Sequence, residues 1–174
     1  MNIRHTTNAD LDALASLFAE ARGTIAALGI DQWQNGYPSR EVIAEDIALG
    51  RSYALTEEDG SLIATFVLME HEPTYDRIEG GAWLTGDGRN YVAMHRVAVA
   101  VCRRGQGVPD RIVHFAREHA RALGCRSVRI DTHEGNAVMR RMLEKRGFCH
   151  CGTIYLSDDA PRVAYECLLD PIAP

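Results

Sequence analysis

The sequence has 174 residues, 46% hydrophobic and 25% charged, with a formal net charge of −5, which suits one soluble domain over residues 1–174 with a core of its own. Its apolar runs are interrupted every few residues, and the opening Met-Asn-Ile-Arg-His has no signal-peptide core, so a cytoplasmic setting with no membrane contact is expected. Five cysteines without a Cys-x-x-Cys spacing read as reduced thiols rather than a disulfide framework.

Residues 2–5 are expected as a short first strand, and Thr7-Asn8-Ala9-Asp10 resembles a capping box with Asp in the usual Glu position. Leu11, Leu14, Ala15, Phe18, Arg22 and Ile25 recur at helical spacing, giving one buried face that ends near Gly29. Residues 30–38 form a loop carrying Trp33 and Tyr37, and residues 41–49 read as a second short helix. Residues 51–56 and 62–70 are β-rich and separated by Glu57-Glu58-Asp59-Gly60, a hairpin signal. Residues 71–90, with Pro73 and four glycines, are expected to be irregular, and so long a loop in a compact domain is functional or mobile. Its Glu72, Tyr75, Asp76, Glu79 and Trp83 either flank a cationic acceptor or form a solvated acidic loop.

Residues 91–101 form the central strand, in which Val97, Val99 and Val101 alternate, and Gly105 and Gly107 then turn the backbone into a helix beginning near Val108. Strand, glycine turn and helix in that order make an anion site, because the first amides of the helix have no backbone acceptor and carry the positive end of its dipole. Arg103 and Arg104 add full charges there. The turn lacks the Lys-Ser/Thr of a nucleotide P-loop and the third glycine of a dinucleotide fingerprint, and taken alone Arg-Gly-Gln-Gly also serves as a solvated turn. His95 on the strand reads as a core histidine first and a proton carrier second. Ile112, Phe115, Ala116, His119, Ala120 and Leu123 form the apolar face of the next helix, which Gly124 ends. Residues 127–132 are a strand with Val128 and Ile130 inward, and Thr132-His133-Glu134-Gly135 leads to Asn136, the cap of a further helix. No second histidine stands at the spacing a zinc motif needs, so no metal is expected. Met139, Met142 and Leu143 face inward, Gly147 supplies a left-handed cap and Phe148 packs back. Residues 149–156 and 162–169 close as a hairpin, with Cys149 and Cys151 on one face as packing residues rather than ligands, and Pro171 and Pro174 end the chain.

Residues 103–146 carry eleven Lys and Arg against five acids, a local charge of +6 that leaves −11 for the rest. The basic half fits a polyanion such as coenzyme A and the acidic half a cationic amine, while the acidic remainder disfavours nucleic acid. Asn136, Glu144, Lys145, Gly147 and Phe148, some thirty residues beyond Arg104 and Gly107, together resemble the GNAT superfamily of acyl-CoA N-acyltransferases. That family's signature is Arg/Gln-x-x-Gly-x-Gly/Ala after a splayed strand, then Asn on the next strand-to-helix turn, then a helix ending Glu-Lys-x-Gly-Phe. Pro109 departs from it, standing where the pattern has Gly or Ala. The resemblance covers about residues 3–169 and implies an α+β fold with a mixed central sheet of about six to seven strands, splayed in the middle and flanked by about four helices.

The same resemblance implies acetyl-CoA as acyl donor. The backbone of Val97 would face the thioester carbonyl and that of Val99 would pair with the pantetheine amides, with Ala98 between them. Arg103, Arg104, Gly105, Gln106, Gly107 and Val108 would hold the pyrophosphate, and the Asn136 side chain would touch the cofactor arm. The 30–38 loop would border the acceptor, or equally its aromatics Trp33 and Tyr37 would plug the helical layer. The family's usual base lies five residues before the Asn, here Asp131, with Glu134 and His133 as runners-up; a salt bridge to Arg129 or a neighbouring basic residue is the structural alternative. The usual leaving-group acid lies seven residues after the Asn, and Leu143 there cannot donate; Tyr155 is the candidate substitute, with a hydroxyl that caps a sheet edge as its commoner reading, and water can also protonate a thiolate. The implied activity is direct acetyl transfer to the primary amine of a small molecule or a protein N-terminus, and a homodimer is compatible with it. The alternative is a non-catalytic acyl-CoA-binding or regulatory domain.

Overall fold

The computed structural model describes residues 1–169, so Pro171 and Pro174 lie outside the described residues. In chain order the elements are β1 (Asn2–His5), α1 (Leu11–Ala27), α2 (Arg40–Ala48), β2 (Ser52–Thr56), β3 (Leu62–Met69), β4 (Ile78–Glu79), β5 (Tyr91–Val99), α3 (Val108–Ala122), β6 (Ser127–Thr132), α4 (Ala137–Glu144), β7 (Cys149–Tyr155) and β8 (Pro161–Leu168). This is an α+β fold with four helices and a mixed sheet of eight strands among the described residues. The chain divides into two compact units, residues 1–68 with 95–112, and residues 69–94 with 113 onward.

In the first unit β1, β2 and β3 are antiparallel, and the segment after β5 joins β3 through the Ala100 N–H, which donates to the Ile63 carbonyl at 2.9 Å. Ahead of α1, Asp10 accepts from the Thr7 amide at 2.8 Å and pairs with Arg4 at 2.8 Å, and that arginine first of all holds the Asp10 carboxyl well below the usual range. The buried face of α1 is Leu14, Leu17, Phe18 and Ala21, the i, i+3, i+4, i+7 set of a 3.6-residue helix. Arg22 and Ile25, expected on that face, are half-buried at its margin. Ile43 of α2 and Ala98 of β5 complete this core.

In the second unit β5 runs parallel to β6 over three residues, Tyr91 to Ala93, opposite Ser127 to Arg129. β6 continues to Thr132 paired with β8, and β7 and β4 follow in antiparallel order. Ser127, Arg129 and Thr132 are buried along with Val128 and Ile130, so β6 is covered on both faces. On one of them Arg129 and Glu166 form an ion pair at 3.0 Å, with side chains 2% and 0% exposed. The Thr85 and Ser127 hydroxyls also donate to Glu166. The Arg129 guanidinium lies between the Trp83 and Tyr91 rings, 4.3 and 4.0 Å from their centroids.

Residues 71–90 are largely irregular, as expected, apart from a single 3-10 turn at Pro73–Asp76 and β4, and this network ties them to β6 and β8. Trp83 is buried and donates its indole N–H to the Tyr75 carbonyl at 2.9 Å, and Ile78 and Glu79 pair with β7 as the additional strand. The loop acids are matched locally, Asp76 by His71 and Arg89, Glu79 by Arg77. A Cβ on Gly81 would fall 2.1 Å from the Cys151 carbonyl oxygen, so only glycine permits that approach. Cys149 and Cys151 do not share a face: the β7–β8 register shifts between His150 and Gly152, leaving Cys149 exposed and Cys151 buried. Burial pushes the Cys151 thiol up to about 11, which keeps it protonated and inert. Among the described residues no group of His, Cys, Asp and Glu is arranged to hold a metal, and no helix is long and apolar enough to cross a membrane.

Candidate active site

In the first unit, His95, Arg96, Val97 and Val99 are only half-buried although they belong to a mid-sheet strand. Registered pairing of β5 with β6 has ended at Ala93, which leaves an edge of backbone on which a ligand can add like a strand. β5 stops at Val99, and Val101, expected on the strand, instead opens a one-turn helix of residues 101–103.

The turn that follows has Gly105 and Gly107 at φ 75° and 74°, left-handed positions that suit glycine. Among the described residues the amides of Gly105, Gln106, Gly107 and Val108 donate to no protein acceptor. Successive amides without a backbone acceptor at the N-terminus of a fifteen-residue helix suit an anion, so these residues fit the pyrophosphate of coenzyme A. Arg104 donates to the neutral Thr24 hydroxyl at 3.0 Å, keeping its charge for a ligand, whereas Arg103 is shared with Glu57 at 3.1 Å. Gln106 braces the turn by donating to the Cys102 carbonyl at 3.0 Å. Pro109 offers no amide at all.

Sequence reasoning did not single out Arg96. Its φ is 50°, and its guanidinium meets the buried Asp46 carboxylate at 2.7 and 2.8 Å while also donating to the Tyr37 hydroxyl. Arg51 reaches the same Asp46 at 2.6 Å. Burial disfavours the Arg96 charge, but Tyr37 and Asp46 outweigh it and raise its pKa. The available signal was the adjacent pair His95-Arg96 interrupting an otherwise apolar strand.

In the second unit, Asp131 does not pair with Arg129, which is committed to Glu166. Instead the Tyr75 hydroxyl donates to Asp131 Oδ1 at 2.7 Å. Tyr75 is 2% exposed and lies against Trp83 and Tyr91, with ring centroids 5.2 and 6.1 Å away. Burial first, and the Asp131 charge second, push its phenol well above the usual 10, so it stays a donor at neutral pH. Asn136 caps α4, accepting from the Met139 amide at 3.1 Å. His133 Nδ1 accepts from the Gly135 amide at 3.0 Å, and Leu143 is a core residue with 0% exposure.

Tyr155 does not join Asp131. Asp131 stands opposite Ala164 and Ala164 opposite Gly152, so Tyr155 is two strands across and three residues along, about 10 Å in each direction. Its hydroxyl donates to Glu79 Oε2 at 3.0 Å and its ring stacks under Arg77 at 4.5 Å. The Glu79 contact raises its pKa, and the arrangement is that of a sheet-edge cap.

The sequence pattern of the acetyltransferase (GNAT) family matches residues 13–148. A GNAT-family acetyltransferase from Streptococcus agalactiae 2603 is 33% identical with a TM-score of 0.82, over 98% of this chain and 96% of that one. The PaiA N-acetyltransferase of Thermoplasma acidophilum, solved in complex with coenzyme A, shares the fold at 17% identity and a TM-score of 0.71, over 96% and 98%. A GCN5-related N-acetyltransferase from Kribbella flavida does so at 18% and 0.70, over 97% of each chain. No curated protein matches the chain.

Proposed function

The chain belongs to the GNAT acetyltransferase family and is an acyltransferase, and from that premise we propose that it transfers acetyl from acetyl-CoA directly to a primary amine of a small molecule or a protein N-terminus. The observation that carries this reading is the run of four amides from Gly105 to Val108 without a backbone acceptor among the described residues, in the turn that follows β5. Those amides and Arg104 bind the pyrophosphate, and the Val97 and Val99 backbone pairs with the pantetheine arm. Acetyl-CoA supplies an activated acyl thioester: the amine nitrogen bonds to its carbonyl carbon, the carbon–sulfur bond breaks and the electron pair leaves on sulfur.

Asp131 accepts the proton that the ammonium must lose, directly or through one water. The Tyr75 hydroxyl, bonded to Oδ1, orients the carboxylate for that transfer. With Leu143 apolar and Tyr155 engaged with Glu79, the departing thiolate takes its proton from water. Thiol release measured over a panel of small amines and N-terminal peptides tests the reading, and turnover with at least one of them is expected. Coenzyme A binding without turnover on any amine would favour instead a non-catalytic acyl-CoA-binding domain, which Leu143 and Pro109 also suit.

A further inference from the structure

Among the described residues three non-glycines have positive φ: Trp33 at 65°, Arg96 at 50° and Asp159 at 59°. Asp tolerates that region because its short side chain bonds locally, but for a bulky residue it is an outlier that the surroundings must enforce. Two of the three belong to one network. Arg96 sits on β5 with its guanidinium 10% exposed against an Asp46 side chain 3% exposed; Nη2 donates to Oδ1 at 2.8 Å and Nε lies 2.7 Å from Oδ2. Its remaining Nη atom binds the Tyr37 hydroxyl. Four residues earlier Trp33 is pinned edge-on against Phe18, centroids 5.9 Å apart at 81°, within the core that also contains Ile43 and Ala98. The 30–38 loop is therefore anchored at Trp33 to α1 and at Tyr37 to β5.

Left-handed backbone in the middle of a strand turns the direction of every residue after it. Residue 96 immediately precedes Val97, Ala98 and Val99, which lie beyond the registered pairing of β5 with β6. We propose that Arg96 is a positioning residue: clamped by Asp46 and Tyr37, its side chain holds residue 96 left-handed and so presents the 97–99 edge, and it locks the 30–38 loop onto that edge. The clamp is a claim about the chain's own geometry, and its effect on ligand rests on the reading of β5 as the acyl-CoA strand.

The experiment compares wild type with Arg96→Ala, Arg96→Gly and Tyr37→Phe. Amide hydrogen exchange is read at residues 31–37 and 97–100 against β7 as an internal reference, and calorimetric Kd values are taken for coenzyme A and for its pantetheine fragment. Arg96→Ala is expected to speed exchange in both segments at least tenfold relative to β7, and to weaken coenzyme A and the phosphate-free fragment by the same factor of ten or more. Glycine accepts left-handed backbone without enforcing it, so Arg96→Gly falls between alanine and wild type. Tyr37→Phe removes one hydrogen bond, preserves the fold if the alanine variant does not, and gives a two- to fivefold change in both readouts. A merely structural role lowers the fraction of binding-competent protein and leaves the Kd of that fraction unchanged, which would overturn the proposal. Arg96→Gly indistinguishable from wild type would also overturn it, because the side-chain clamp would then be dispensable, as would Tyr37→Phe without effect on exchange. If wild type binds no coenzyme A, the functional reading falls and the exchange rates alone decide: faster exchange supports the clamp and unchanged exchange overturns it.

Discussion

Tyr75 keeps its proton where the unfolded chain would release it, and this has a consequence for stability. Its folded pKa is raised above the usual 10 by burial and by Asp131, so its contribution is full below pH 10 and is lost as pH rises beyond it. The melting temperature should fall above pH 10 in wild type and less steeply in Tyr75→Phe, with a residual slope from Tyr91 and Tyr165, whose phenols are also raised by burial. For the reaction, Asp131→Asn should lower kcat by about 10²- to 10⁴-fold, the usual contribution of a general base, and leave the Kd for coenzyme A unchanged; equal kinetics would remove Asp131 from the mechanism. The Asn136 cap was legible in the sequence because a strand-to-helix turn marks it locally, while Asp131 was singled out only by the spacing that the family resemblance supplies. Tyr75 was not legible, because its partner is 56 residues away and nothing in a run of loop residues says which aromatic will be buried. The Arg96 to Asp46 pair, 50 residues apart, was hidden for the same reason.

At the scale of elements, the cradle and the buried ion pair make separate demands. Pro109 is the second residue of α3, where a missing amide proton costs the helix nothing but removes one donor from the anion site. A hydrogen bond to a charged group contributes about 1.5–3 kcal/mol, so Pro109→Ala should tighten coenzyme A by roughly ten- to a hundredfold without changing the affinity of the pantetheine fragment. Arg129 and Glu166 stake the second unit on a desolvated pair. Arg129→Met or Glu166→Leu alone strands a buried charge at a cost of about 3–5 kcal/mol, whereas the double substitution should recover much of that loss in urea melts. Helices α1, α3 and α4 and strands β6 to β8 were readable from periodicity, glycine stops and the Asn136 cap. β4 was not, since a two-residue strand has no periodicity to read and exists because the chain beyond it can approach Cys151 at Gly81. The bulge at Cys151 likewise left no mark in an alternating strand pattern.

For the whole molecule, acetyl-CoA at about a hundred times its Kd should add roughly 2.7 kcal/mol and raise the melting temperature by roughly 5–10 °C for a chain of this size. A melt unchanged by millimolar acetyl-CoA would count against any cofactor site. The two compact units are not beads joined by linkers: the chain passes between them three times, between Leu68 and Met69 inside β3, between Met94 and His95 inside β5, and between Ile112 and Val113 inside α3. No stretch of gene therefore encodes either unit by itself, and boundaries drawn at those crossings would cut through a strand or a helix. Fragment complementation has to cut elsewhere, and the exposed turn at Glu58 and Asp59 is such a place. Two pieces divided there should each be unfolded when expressed alone and should recover structure when expressed together, so the protein lends itself to a split reporter but not to dissection into independent modules.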